Sequence, residues 1–395
     1  MAFTYPVKWI SSAMRGAPQI SGSAGAYIGA LDAFLLNGWG AVNAISVSVS
    51  GGVGTAQLPE GLYFEDHSIV LLGGVTTPAA LNGEARVLSH ANNMITFETN
   101  APDGIATTGS AISIRYAPVG NWSKPYQGTN LAAYRSMDVQ SSGHYLRVDD
   151  SGTTVARLVA YETMADINTG TGPYPTAAMV SGGGSLWKST VASSAAARYL
   201  MAADSRMMLW AIEPGSAASV NYKTANVRGF GEGIALAPGG DPWATLLSCA
   251  ITSGALGSGS LSGGGVSDAG GFTACARNFS GLGSSVYLSP YPFSGTAGQY
   301  SGADNALGAA PSSVDGKIRL SRLYMRTAST DSPRIVVPGV AYVPHTGLLT
   351  QCAPWDTVPG SGEWAGRKLI AIGVGGSATS APTGIAFVDL TGPWR

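Results

Sequence analysis

The run Ile45-Ser46-Val47-Ser48-Val49 alternates apolar and polar residues without a break and stops at Ser50-Gly51-Gly52. Successive side chains on a strand point to opposite faces, so this pattern fits a strand with one buried face, closed by a turn. The same succession of short strand and turn recurs along most of the chain. Residues 68–72 (SIVLL) form a continuous apolar run suited to a strand covered on both faces, and 86–88, 94–98 and 111–116 supply further strands. Leu81-Asn82-Gly83-Glu84 reads as a tight turn, because Asn-Gly tolerates positive φ at both central positions. Strands this dense over 44–116 predict a small barrel or sandwich.

Beyond it, 144–148 pairs with 153–161 across Asp149-Asp150-Ser151-Gly152, a polar turn with a late glycine. A second hairpin joins 198–202 to 206–212 through Ala203-Asp204-Ser205, and strands are expected at 185–188, 244–250, 318–325, 334–337, 368–372 and 385–390. Residues 120–134 (GNWSKPYQGTNLAAY) read as an irregular connection. One helix is predicted over 26–36, with Ser23 as its cap, Ile28, Leu31, Phe34 and Leu35 on one face, and Asn37-Gly38 as a left-handed stop. The expected fold class is therefore all-β, with several small barrel or sandwich domains and one N-terminal helix. The divisions expected are an arm and helix (1–43), a small β domain (44–118), a second β domain (119–251), a Gly/Ser-rich loop or linker (252–275) and a C-terminal β region packed with the second domain (276–395). In the Gly/Ser-rich stretch, Leu256, Leu261 and Val266 give an ordered loop something to bury.

Charge narrows the function. Charged residues make up 11% of the chain, against about 25% in an ordinary soluble protein. The net charge is -1 and Gly counts 55, so neutral polar residues fill the places that charges usually take. Such a surface suits close contact with copies of itself or with neighbouring proteins. No Lys/Arg stripe exists, which argues against electrostatic nucleic-acid binding. The apolar stretch 26–40 holds Asp32 and Asn37 and is too short to cross a bilayer, so no membrane insertion is expected. The opening MAFTYPVKWISSAMRG lacks the apolar core of a secretory signal, so export by that route is not expected either. Cys249, Cys275 and Cys352 show no metal-ligand spacing and read as buried free thiols, with a Cys249–Cys275 bridge as the alternative.

A carboxylate pair for glycan hydrolysis is conceivable among Asp149, Asp150 and Glu162, although the first two suit a turn for conformational reasons alone. His67, His90, His144 and His345 are widely spaced and give zinc chemistry no support. No Gly-x-Ser-x-Gly elbow or phosphate-binding loop is present. Gly373-Val374-Gly375-Gly376-Ser377-Ala378 formally fits a dinucleotide fingerprint, but Thr379-Ser380-Ala381-Pro382 continues as a loop where the fingerprint needs a helix. No catalytic, cofactor-binding or metal residue is therefore expected, and the chain reads as a non-enzyme. Trp122, Tyr126, Trp355 and Trp364 lie in loop-like sequence and are candidate contacts for an interface or a glycan. Trp394 joins them, because Thr391-Gly392-Pro393 stiffens the backbone before it and predicts that 389–395 is packed and ordered at a subunit contact, with docking onto its own domain as the alternative.

Several stretches carry a resemblance. They are Ser48-Val49-Ser50-Gly51-Gly52-Val53, Leu81-Asn82-Gly83-Glu84-Ala85-Arg86-Val87 with Ile95-Thr96-Phe97, Trp122-Ser123-Lys124-Pro125-Tyr126-Gln127-Gly128-Thr129-Asn130, Tyr145-Leu146-Arg147-Val148-Asp149-Asp150-Ser151-Gly152, and Asp389-Leu390-Thr391-Gly392-Pro393-Trp394-Arg395. Together they resemble a β-domain family of tailed-bacteriophage virion proteins associated with tails and baseplates. The resemblance implies a structural subunit in the tail tip or baseplate that builds a symmetric assembly. The alternative it leaves is a receptor-binding, capsid-decorating or neck module of the same virion. Its implied partners are copies of the chain, other virion proteins and a host surface receptor. It places the protein in the virion, assembled in the host cytoplasm, and brings no catalytic residue.

Overall fold

A computed structural model describes residues 4–108, 111–218, 223–237, 239–250, 261, 273–291, 311–327, 332–342 and 347–395. Strand accounts for 45% of the chain and helix for 8%, so the all-β expectation is met. Among the described residues three sheets carry the fold, and every neighbouring strand pair in them is antiparallel.

The first sheet has eight strands, in the order Trp39–Asn43, Ser113–Tyr116, Ile69–Gly73, Gly83–Ala91, Met94–Glu98, Val53–Gln57, Ser46–Ser50 and Gly104–Ile105. Val47 and Val49 point into its core while Ser46, Ser48 and Ser50 face out, as their alternation requires. A bridge from Thr107 to Thr77 ties the last strand back to the continuation of Ile69–Gly73, so the sheet curls round on itself. The turn at 81–84 differs from expectation. Asn82 is extended, at φ -71°, and its side chain binds the Val75 N–H and C=O at 3.0 and 2.7 Å. Those bonds hold the corner, which removes the need for positive φ at Asn82.

The second sheet runs Trp122–Gly128, Leu131–Ser136, Tyr145–Asp149, Val155–Met164 and Gly170–Tyr174, with Gly184–Trp187 pairing on the far half of Val155–Met164. Its first two strands replace the irregular connection expected over 120–134. Pro125 offers no N–H, and the register shifts between Ser123 and Tyr126. A proline and a bulge on an edge strand are compatible with pairing but erase the alternation by which a strand is read.

The third sheet has fourteen strands. Lys8–Ser11 lies at one end, followed by Ala196–Ala203 and Met207–Glu213, and Gly384–Asp389, Lys368–Val374 and Thr357–Pro359 lie at the other. Leu200 and Leu209 from the first end share an apolar cluster with Ile370 and Val388 from the second, and Trp355, just before Thr357–Pro359, donates to Glu213 at 3.1 Å, so the two ends of this sheet approach each other. Met201, Met208 and Trp210 point out of the opposite face into a larger core that takes in the helix and both other sheets. Both faces are covered, which is why Met207–Glu213 is buried at every position and is apolar from Met207 to Ile212. Leu261, the one described residue of 251–272, is also buried and donates its N–H to the Val227 carbonyl at 2.7 Å. Leu256 and Val266 lie outside the described residues.

The helix spans Ala26–Asp32 and continues as a π-helical turn, Ala33–Asn37, that ends at Gly38 with φ 72°. Of the predicted face, Leu31, Phe34 and Leu35 are buried and Ile28 partly so, and Tyr27 meets Trp210 edge-on at 6.4 Å. Ser23 does not cap it. The chain turns at Gly25, φ 77°, and no local side chain reaches the first N–H groups.

Glu65 sits where the N-terminal segment meets the first sheet. It accepts the Tyr116 hydroxyl, and Tyr116 stacks on Trp39 at 4.9 Å while Arg15 lies over Phe64. Burial pushes the Glu65 carboxyl up to about 7, with Asp66 adding to the rise and His90 and Arg15 opposing it. An acid whose folded pKa lies above its unfolded value stabilises fully below the unfolded value, and that contribution fades as pH rises through the folded one. Unfolding free energy should therefore fall between about pH 4.5 and 7 by on the order of 2 kcal/mol more in wild type than in Glu65→Gln. Urea titrations of both proteins across that window check this; parallel profiles would refute it.

Candidate functional site

The three carboxylates that could have formed a hydrolytic pair are engaged separately. Asp149 accepts the Ser151 N–H at 3.1 Å, a local turn bond. Glu162, on strand Val155–Met164, takes a bidentate grip from Arg277 at 2.5 and 2.7 Å. Asp150 is fully buried. One of its carboxylate oxygens accepts the Tyr27 and Ile28 N–H groups at 2.7 and 3.3 Å, and the other binds the Lys188 ammonium. Asp150 is thus the cap that Ser23 was expected to be, supplied from more than a hundred residues away. Lys188, also fully buried, donates in addition to the Ser23 carbonyl at 2.6 Å. Burial pushes the Asp150 carboxyl above its usual range, and the Lys188 ammonium and the two helix N–H groups pull it back only in part.

The aromatic candidates do not converge on one spot. Trp122 is buried on its strand, with Nε1 donating to the Asp204 carbonyl at 2.9 Å. Tyr126 is half-buried, stacks on Tyr145 at 6.0 Å and donates to the Met164 carbonyl. Trp355 has φ 77°, lies under the Arg198 guanidinium at 4.4 Å and donates to Glu213 at 3.1 Å. Only Trp364 and Trp394 come together, flanking a gap of about 50 Å³. Trp394 is buried, donates to the Asp389 carbonyl at 3.1 Å and lies flat against Gly339, where a Cβ would stand 2.4 Å from the ring. Arg395 binds Asp204 at 2.9 Å and the Glu232 carbonyl at 2.7 Å, so 389–395 is packed on its own chain.

Trp364 also lines a largely apolar opening, a cleft of about 640 Å³ whose walls include Ile318, Leu320, Val358 and Phe387. Of the charges that line it, Glu363 pairs with Arg322 at 3.1 Å and Arg319 with Asp315 at 3.9 Å, while Lys317 stands exposed. Of the cleft's residues, Trp364 and Cys352 stand out individually in the sequence. The walls come from segments far apart in the chain, and no local signal brings them together. A second groove of about 670 Å³ has a mixed lining, with Ser141, Ser142, Glu232 and Asp241 among its residues. Its groups are already bonded: Glu232 accepts from Ser141 at 2.8 Å, and Asp241 holds Arg334 at 2.6 Å.

No cluster of His, Cys, Asp or Glu suited to a metal occurs among the described residues. His144 is buried against the Tyr174 hydroxyl at 3.1 Å, and His345 lies outside the described residues. Among those residues no helix is long and apolar enough to cross a membrane. Residues 373–378 form the end of a strand and a loop leading to Gly384–Asp389, with Asn226 binding Gly375 on both its N–H and its carbonyl. That is strand–loop–strand, without the helix a dinucleotide fingerprint needs. No family model and no curated protein matches this chain.

All three cysteines are free and buried. Cys249 and Cys275 lie on opposite faces of the large sheet, in different apolar clusters, so the Cys249–Cys275 bridge considered from sequence does not form. Burial pushes their thiols up to about 12 and about 11, while Cys352 lines the cleft. A thiol reagent should thus modify Cys352 first and reach Cys249 and Cys275 only on global unfolding, as timed mass spectrometry of the native protein would show. For the buried pair, Lys188→Ala should destabilise by about 3–5 kcal/mol, because it leaves a buried carboxylate unpaired. The double variant Asp150→Asn/Lys188→Met should lose clearly less. Equal losses in urea unfolding would mean that the ionic bond itself carries the stability.

Proposed function

We propose that this chain is a non-enzymatic structural subunit of a tailed-bacteriophage virion, built into the tail tip or baseplate as part of a symmetric assembly. One observation carries the non-enzymatic half. Glu60 aside, every carboxylate side chain among the described residues accepts from a partner within the chain, as a cap, a turn bond, a side-chain hydrogen bond or an ion pair. Acid–base catalysis sets a carboxylate within reach of a substrate proton, whereas here the scarce charges are tied to other groups of the fold.

The virion half rests on the sequence resemblance and on the neutral surface. With 11% charged residues, many of them paired internally, the exterior is mostly uncharged and polar. A subunit that meets neighbours on several sides gains from this, since few ions must lose their water when it docks. Exposed apolar residues such as Ile105, Leu282 and Phe279 supply contact area at isolated points.

Mass spectrometry of gradient-purified particles tests the reading. The chain should co-purify at a fixed copy number, and the purified protein should leave polysaccharide and peptidoglycan intact. Particles that lack the chain, or hydrolysis that disappears in Asp149→Asn or Asp150→Asn, would overturn the proposal.

A further inference from the structure

Residues 278–285 join strand Thr273–Cys275 to Val286–Pro290 and hold Phe279 and Leu282 out in solvent, 56% and 76% exposed. The loop beneath them is firmly built. Arg277, gripped by Glu162, lies over the Trp243 ring at 4.6 Å and donates to the Gly281 carbonyl at 3.0 Å. Gly281 has φ 71°, and a Cβ there would meet the Trp243 indole nitrogen at 2.5 Å. Asn278 accepts the Phe279 N–H at 2.7 Å, and Ser285 donates back to the Cys275 carbonyl at 2.8 Å. An apolar tip already fixed in one shape loses little freedom on docking, which is what an interface anchor requires.

The same chain carries a hollow of matching chemistry, the cleft walled by Ile318, Leu320, Val358, Phe387 and Trp364. At about 640 Å³ it falls within the range of roughly 300–1,000 Å³ typical of pockets that enclose a bound group. Strand Ser321–Thr327 relates the two features. Ser321 lines the cleft, whereas Thr327 pairs with Leu288, just beyond the loop. Tip and cleft therefore lie toward opposite ends of that strand, so a tip seated in a cleft belongs to another copy. Charge does not oppose the contact: residues 278–285 carry none, Asp315 and Glu363 of the cleft are paired with arginines, Lys317 is an exposed cation with no like charge to meet on the tip, and the chain's net charge is -1.

The geometry points to a head-to-tail contact between copies, in which Phe279 and Leu282 of one chain enter the cleft around Ile318 and Trp364 of the next. This deepens the proposed function and rests on its reading of a self-assembling subunit. A heterologous contact of this kind closes into a ring or extends as a filament, according to the rotation it imposes.

Complementation between two broken copies tests it. Phe279→Asp/Leu282→Asp removes the tip and Ile318→Asp spoils the cleft. Sedimentation velocity should show multimers for wild type and monomers for each variant alone. An equimolar mixture should form 1:1 dimers and nothing larger, because each pair retains one intact tip and one intact cleft. That outcome also shows both variants to be folded. A wild type that stays monomeric at high concentration, variants that assemble like wild type, or a mixture without dimers would each overturn the contact. Variants that still assemble, together with the chain's presence in purified particles, would leave the virion reading standing while this contact fails.

Discussion

The fold turns on a buried ion pair. Asp150 and Lys188, both without solvent exposure, hold together the start of the helix, the hairpin turn after Tyr145–Asp149 and the residue that follows strand Gly184–Trp187. The Gly25 N–H adds a bond to the Asp150 carbonyl at 2.9 Å, so the entry to the helix is pinned through main chain and side chain together. A helix of seven residues with no cap of its own is marginal in water. Here the second sheet completes it. Such a pair adds little net stability over an apolar replacement, because two ions must lose their water. Its effect is to make one arrangement of three segments far better than any other.

The same use of charge recurs elsewhere. Arg277 with Glu162 joins the second sheet to the third, Lys8 with Glu84 joins the third to the first, and Arg395 with Asp204 fastens residues 389–395. In a chain with so few charged residues, these pairs act as joints between layers whose faces are otherwise apolar. The outside is left neutral, and that property underlies the proposed assembly role.

How much could be read in advance depended on the range of the interaction. Strands such as Met94–Glu98 and hairpins such as Tyr145–Asp149 with Val155–Met164 were legible because alternation and turn chemistry are written in neighbouring residues. The hairpin at Trp122–Gly128 was not, because Pro125 and a bulge break the pattern while the pairing survives. Trp122 looked like a loop aromatic for the same reason and is a core residue. The cleft was illegible, since Ile318, Val358 and Phe387 give no local sign that they will share a wall.

By itself, the sequence determined that this protein would be built of antiparallel strands, would carry one short N-terminal helix and would keep a surface poor in charge. Backbone geometry and composition act residue by residue, so these properties need no knowledge of contacts. Only the tertiary structure decided that Asp150 caps a helix, that the tryptophans are mostly scaffold, and that an apolar tip and an apolar cleft stand apart on one chain. Those outcomes depend on which sheet faces meet, and burial, the largest energy involved, is a property of that meeting and of no single segment.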